Sequence, residues 1–276
     1  MIASERCLRA AAQGLVLPVA LAGAGAGARA DDAPETLDLE ADFELVFNEP
    51  FDIVDVTPYR ETPSRWIAHT PWFGDFGDAR FVDPDTRPGF PFRAIDGVLR
   101  IEASKNDDGG WESGLLSASD PGGGGFRTPL GYFEARMRLP PGAGVWPAFW
   151  LVSDEDERGR KGEIDVIEFY GHDPASYQAV WHVWGGPEKL AEAKAIEVEP
   201  GSLNDRFRDY GVEITEDRLV YYLDRRVVWD VEKPEPFDGL GFYPLVNLAL
   251  GSGWPIDEVP DPSHLWVDHI RIWRRR

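Results

Sequence analysis

Gly131-Tyr132-Phe133-Glu134-Ala135-Arg136-Met137-Arg138-Leu139 decides the fold class. Phe133, Ala135, Met137 and Leu139 alternate with Glu134, Arg136 and Arg138, the period of two expected of a strand with one face on a core. Working outward, Gly97-Val98-Leu99-Arg100-Ile101-Glu102-Ala103 alternates in the same way. Residues 219–231 carry a further pair of strands around the turn Asp224-Arg225, and 267–273 read as a closing strand. Residues 243–250 form a nearly continuous apolar run, as expected of a strand buried on both faces. The best helical candidate is 188–196, E-K-L-A-E-A-K-A-I, which is short and set within a loop region. Twenty-nine glycines and twenty-three prolines punctuate the remainder, which suits many strands joined by substantial loops. The chain is therefore expected to be all-β, a two-sheet antiparallel β-sandwich of jelly-roll type. Residues 58–92, rich in Gly, Pro and aromatics, read as a long functional loop over one face.

The first thirty residues stand apart. Arg6 and Arg9 open them, an apolar stretch follows, and Ala28-Arg29-Ala30 is a small-x-small site before Asp31. That is the layout of a secretory signal peptide, with an apolar run too short to span a bilayer. The expected organisation is a signal peptide over 1–30, a polar linker over 31–42 and one domain over 43–276, secreted or periplasmic. Cleavage would remove Cys7, the one cysteine, so the mature chain would depend on its core with no disulfide. It would also remove Arg6, Arg9, Arg29 and Glu5, leaving 25 basic against 48 acidic residues and a net charge of −23. A chain so acidic repels nucleic acid and anionic membrane, which excludes both as expected partners. A monomer is expected.

Lys161-Gly162-Glu163-Ile164-Asp165-Val166-Ile167-Glu168-Phe169-Tyr170-Gly171 carries the chemistry. Glu163 and Asp165 share one face of a regular strand, but Glu168, five residues from Glu163, has the wrong parity. A single β-bulge between Asp165 and Glu168 would return it to the acidic face. The three carboxylates would then form a row. A retaining glycosidase needs a carboxyl pair about 5–5.5 Å apart, one ionised to attack the anomeric carbon and one protonated to donate to the leaving oxygen. Crowded like charges help to separate those two roles. A calcium site or a solvated acidic edge strand are the competing readings. The alternation with Ile164, Val166, Ile167 and Phe169 disfavours the edge, and calcium loops draw on Asn, Gly and carbonyl oxygens.

The segment resembles the E-x-D-x-x-E signature of glycoside hydrolase family 16, the laminarinase, agarase and carrageenase clan. The flanks extend the likeness: 131–140 with Val145-Trp146-Pro147-Ala148-Phe149-Trp150-Leu151, then 243–251 with Gly253-Trp254, and Val267-Asp268-His269-Ile270-Arg271-Ile272. It covers about residues 43–274. The resemblance implies a jelly roll with a concave substrate cleft, Glu163 as nucleophile, Asp165 as its assistant and Glu168 as general acid/base. It implies endo-hydrolysis of a β-linked polysaccharide with retention and no cofactor for the chemistry. The six-residue form of the motif points to the laminarinase-like branch, hence a β-1,3- or mixed-linkage β-1,3/1,4-glucan.

Trp146 and Trp150 share a strand face and are expected to line the cleft, since indoles stack on pyranose rings. His182, which the resemblance sets beside the nucleophile, joins them, as do Trp254 as a subsite floor and Asn247 as a polar group in an apolar strand. The resemblance also implies one structural Ca²⁺, with Glu49 and Asp268 at the matching positions. Some positions depart from the laminarinase pattern. Arg158-Gly159-Arg160-Lys161-Gly162 replaces a Trp-Pro pair, Leu115 follows Ser113-Gly114 where Arg is usual, and Arg208 and Ile214 stand in a strand that usually carries Trp. These changes resemble bacterial members linked to exopolysaccharide trimming, and such a polymer is the alternative substrate. A lectin-like carbohydrate-binding module is the alternative of another class, though it predicts a broken acid row. A transglycosylase using the same covalent intermediate is a third reading.

Overall fold

The computed structural model describes residues 37–60, 63–186 and 190–276. The signal peptide expected over 1–30 lies outside them, as do residues 188 and 189 of the helical candidate. Among the described residues, eighteen strands form two sheets, one of ten strands and one of eight. They are antiparallel except for two-residue parallel pairings, Val56–Thr57 with Trp66–Ile67 and Arg80–Phe81 with Trp111–Ser113. Both involve the long loop region 58–92, which contributes short pieces to both sheets.

Gly131–Arg138 lies in the ten-stranded sheet between Arg208–Ile214 and Ser263–Arg275. Phe133, Ala135 and Met137 enter the main core, as the alternation requires. Arg218–Leu223 and Arg226–Glu232 form the hairpin read at 219–231. Its turn residues Asp224 and Arg225 have φ of 50° and 60°, the left-handed pair that matches the twist of a two-residue hairpin. Phe242–Leu250 is buried at every position and sits between Val145–Ser153 and Leu115–Ser117 in the eight-stranded sheet. Its continuous apolarity is thus accounted for by cover on both faces.

The helical expectation for 188–196 is corrected. Leu190–Glu197 is an edge strand paired with Ser176–Trp184, and Ile196 alone of its residues is buried. A helix of nine residues with no apolar stripe has too few hydrogen bonds to persist, whereas an open sheet edge offers a full ladder. The same Ala, Glu and Lys content leaves that edge charged, which discourages pairing with other chains. The linker expectation is also refined at its end. Leu39–Asp42 forms a helical turn capped by Asp38. Leu39 is buried with Phe43, Tyr132 and Trp273 in a small second core.

The ten-stranded sheet holds a buried carboxylate of its own. Glu134 is fully buried, yet Arg225 meets both its oxygens at 2.8 and 2.9 Å. The Tyr132 hydroxyl donates to it at 2.9 Å, and His269 lies 3.4 Å away. Burial alone would raise the Glu134 pKa, but the bonds from His269, Arg225 and Tyr132 outweigh it and hold the group at about 2. A depressed carboxylate stabilises the fold above its ordinary pKa, and that contribution is lost as pH falls toward the folded value. Glu134→Gln is expected to cost about 3 kcal/mol at pH 7. The deficit should shrink as pH falls from about 4.5 toward 2. Urea unfolding of both proteins at pH 7 and pH 3 measures it, and an equal deficit at the two pH values would contradict the assignment.

Candidate active site

Lys161–Glu168 runs between Val145–Ser153 and Ser176–Trp184. Leu151 faces Ile164 and Phe149 faces Ile167, so these apolar residues share the core side. Trp150 pairs with Asp165 and Ala148 with Glu168, while Val166 is the extra residue between. On the other side the register shifts between Asp165↔Val180 and Glu168↔Gln178. Two residues, Val166 and Ile167, thus stand against Ala179 alone, which is a β-bulge. It brings Glu163, Asp165 and Glu168 to one face of the sheet, the face opposite the core.

Each glutamate in the row has its own indole donor. Trp184 donates through Nε1 to Oε2 of Glu163 at 3.2 Å, and Trp146 donates through Nε1 to Oε1 of Glu168 at 3.1 Å. Both tryptophans come from the strands flanking the row. His182 lies with Nε2 3.5 Å from Asp165 and 4.0 Å from Glu163, its ring stacked on Trp184. The row's entry depends on Gly162, because a Cβ there would lie 2.8 Å from Phe242 and 2.9 Å from Phe237.

Removal from water dominates the electrostatics. Burial first, then repulsion from Asp165, pushes Glu168 up to about 8, with His182, Trp146 and Tyr170 acting in the opposite sense. Burial and then Asp165 also push Glu163 upward, and burial does the same to Asp165. Three carboxyls so close and so dry cannot all ionise near neutrality. The arrangement holds a neutral acid at Glu168 and a proton-sharing pair at Glu163 and Asp165.

Of the residues expected to contact substrate, Trp146 and His182 join the row directly and Trp254 stands beside it. Trp254 is exposed and stacks on His172, with ring centres 3.6 Å apart. Tyr170 continues this aromatic line, stacked on Trp146 at 6.0 Å and next to His172 at 6.1 Å. Trp150 and Asn247 fall behind the surface. Asn247 is fully buried and accepts from Trp150 Nε1 at 2.8 Å. The 58–92 segment covers this part of the face, with Trp72 and Phe76 edge-on to Trp150 and Phe76 edge-on to Trp146. Trp150 and Asn247 are thus placed behind the tryptophan wall and present almost no exposed surface to a sugar.

Glu49 and Asp268 are each engaged with neighbouring side chains. Glu49 accepts from the Phe51 amide and from Trp66 Nε1, and it pairs with Arg65 at 2.9 Å. Asp268 meets His269 at 2.8 Å and Arg136 at 3.7 Å. Both oxygens of Glu49 and Oδ2 of Asp268 are thus already met by positive or N–H groups. Among the described residues, the clusters with metal-ligating side chains are Glu163, Asp165 and His182, and Glu134, Asp209 and His269. The second is neutralised by Arg225 and Arg136.

Tyr170, His172, Trp184, Trp72 and Lys161 are site residues that motif reading alone does not single out. Parity signals two of them: Trp184 is two residues from His182, and Tyr170 two from Glu168. Trp72 arrives from a distant loop with no such signal. Lys161, two before Glu163 on the acid-row face, carries its Nζ 4.7 Å from the Trp72 ring.

The family model "Glycosyl hydrolases family 16" matches residues 103–263, more than half of the chain. Endo-1,3-1,4-beta-glycanase EglC of Rhizobium meliloti (strain 1021) is 31% identical over 208 residues, covering 70% of this chain and 42% of the relative. Beta-glucanase of Rhodothermus marinus is 29% identical over 266 residues, covering 89% and 88%. Among solved structures, the laminarinase from Rhodothermus marinus superposes with a TM-score of 0.67 at 25% identity, covering 86% of this chain and 99% of that one. The chain spans less than half the length of the Rhizobium meliloti relatives that it matches.

Proposed function

The chain belongs to glycosyl hydrolases family 16, and from that premise we propose that it is an endo-acting, retaining hydrolase of a β-1,3- or mixed-linkage β-1,3/1,4-glucan. The observation that carries this reading is the bulge at Val166, which sets two glutamates on one face with an aspartate between them. In the first step the proton of Glu168 passes to the glycosidic oxygen as the C1–O bond breaks. Glu163, ionised, forms an ester bond to C1. In the second step water attacks C1, its proton returns to Glu168, and Glu163 leaves as the carboxylate. Asp165 takes the proton of the acidic pair, so the negative charge rests on Glu163 where Trp184 donates to it. No cofactor enters this chemistry. We assign residues 1–30 to an export signal, 31–42 to a linker and 43–276 to the catalytic domain. The enzyme would act as a secreted or periplasmic monomer on polysaccharide. No helix among the described residues is long and apolar enough to cross a membrane.

Reducing-end release from laminarin, lichenan, agarose, carrageenan and bacterial exopolysaccharides tests the activity. Proton NMR of the first-formed anomer tests retention. Release from none of the panel, or an inverted product, would sink the reading.

One observation favours a substituted, anionic polysaccharide as the second reading. Lys161 stands on the acid-row face beyond Glu163, its ammonium packed on Trp72 and, among the described residues, in no ion pair with an acid. An anionic substituent on the polymer beyond Glu163 would meet it there. Lys161→Met is expected to raise KM for an anionic polymer about five-fold, roughly 1 kcal/mol. KM for neutral laminarin should stay unchanged. An equal change on both polymers would remove the support for this reading.

A further inference from the structure

Oε1 of Glu168 accepts two hydrogen bonds, from Trp146 Nε1 at 3.1 Å and from the Tyr170 hydroxyl at 3.2 Å. The indole N–H can only donate. Tyr170 can donate or accept, and its hydroxyl is directed at Glu168. Burial, then the charge of Glu168, holds the phenol well above its ordinary pKa, so it keeps its proton. That proton is left with Glu168 as its acceptor.

From this geometry we infer that Tyr170 is a positioning residue that with Trp146 fixes one oxygen of Glu168 as acceptor and leaves the transferable proton on the other. A proton on Oε1 would point at two donors. On Oε2 it faces none of them and is free for a leaving oxygen. The pair of donors also steadies the carboxylate that must form once the proton has gone and that then activates water. The inference rests on the acid/base role proposed for Glu168.

The charged and titratable groups around Glu168 are Glu163 and Asp165 on its own strand, His182 on Ser176–Trp184, and Tyr170. Trp146 and the cross-strand partners Ala148 and Gln178 carry no charge. Removing the Tyr170 hydroxyl therefore removes a donor to the ionised form and leaves every charge in place. Its expected effect is a higher pKa for Glu168, by about one.

The test uses Tyr170→Phe, which removes the hydroxyl and keeps the ring stacked on Trp146. Carbon NMR of protein labelled at the glutamate carboxyls, with Glu168→Gln to assign the resonance, reads the pKa without turnover. The alkaline limb of kcat/KM against pH reads it during turnover. Support would be a resonance and a limb that both move up by about one pH unit in Tyr170→Phe. An unmoved Glu168 resonance in Tyr170→Phe overturns the inference, whether or not the enzyme is active. If the resonance moves while the limb stays, the hydrogen bond from Tyr170 stands and the acid role proposed for Glu168 falls.

Discussion

Glu163→Gln is expected to lower kcat on a polysaccharide by about 10⁴-fold or more, with KM within a few-fold of the parent. The amide keeps the size of the side chain and can still take the N–H of Trp184 on its oxygen, so the row need not collapse. What it loses is the electron pair that bonds to C1, and no neighbour replaces it. Asp165 lies on the same face but takes its place against Trp150, two residues along. Because the loss falls on the chemical step and not on binding, kcat and kcat/KM should drop together. Initial rates on the glucan that gives the fastest reducing-end release, with intact-mass analysis for a glycosyl adduct, check this. Cleavage that survives the substitution, or an adduct that still forms on the variant, would assign the nucleophile elsewhere.

Glu168→Gln is expected to lower kcat/KM on a polysaccharide by about 10²–10⁴-fold. It should cost far less on a glycosyl fluoride, whose leaving group needs no proton. The wild-type pH profile follows from the same group. Glu168 must be protonated to act and its pKa stands at about 8, so kcat/KM should fall as pH rises through that value. In the variant the alkaline limb set by Glu168 should be absent. Stability carries an independent signature. A carboxyl whose folded pKa is raised supports the fold most below its ordinary pKa, and the support is lost as pH rises through the folded value. The parent should therefore lose melting temperature between pH 5 and pH 9, and Glu168→Gln should lose less. A glycosyl fluoride hit as hard as the polymer, or an alkaline limb that persists, would argue against Glu168 as the acid.

The sheet architecture was legible because period-two alternation and continuous apolar runs are direct images of burial. The 131–139 strand, the Asp224-Arg225 hairpin and the buried 243–250 run all follow that rule. The 188–196 segment misled because Ala, Glu and Lys favour helices intrinsically. Its fate was set by the open ladder of a neighbouring strand, which is a tertiary fact. In the site, the odd spacing of Glu163 and Glu168 announced a bulge, since parity has no other simple remedy. The burial of Asn247 and Trp150 was not legible, because it depends on Trp72 and Phe76 arriving from a loop about seventy-five residues upstream of Trp150. The Tyr170 hydroxyl was equally hidden. Its direction depends on how the ring stacks on Trp146 of the neighbouring strand, which residue identity does not encode. Glu49 and Asp268 show the converse: their positions in the sequence said nothing of Arg65, Trp66 and His269, which meet their oxygens.

The bulge at Val166 also bears on how such a strand can change length. Taking one residue out of a regular strand turns every following side chain to the opposite face, so deletions in sheets are ordinarily ruinous. Here the strand already carries one residue beyond what its partners match. Dropping it would draw Glu168 to an even spacing from Glu163 and leave all three acids facing the same way on a flat ladder. The two forms are neighbouring solutions, separated by a single codon and not by an inversion of the site. A protein built this way can lose or regain that residue over its history without passing through a form whose acids point into the core.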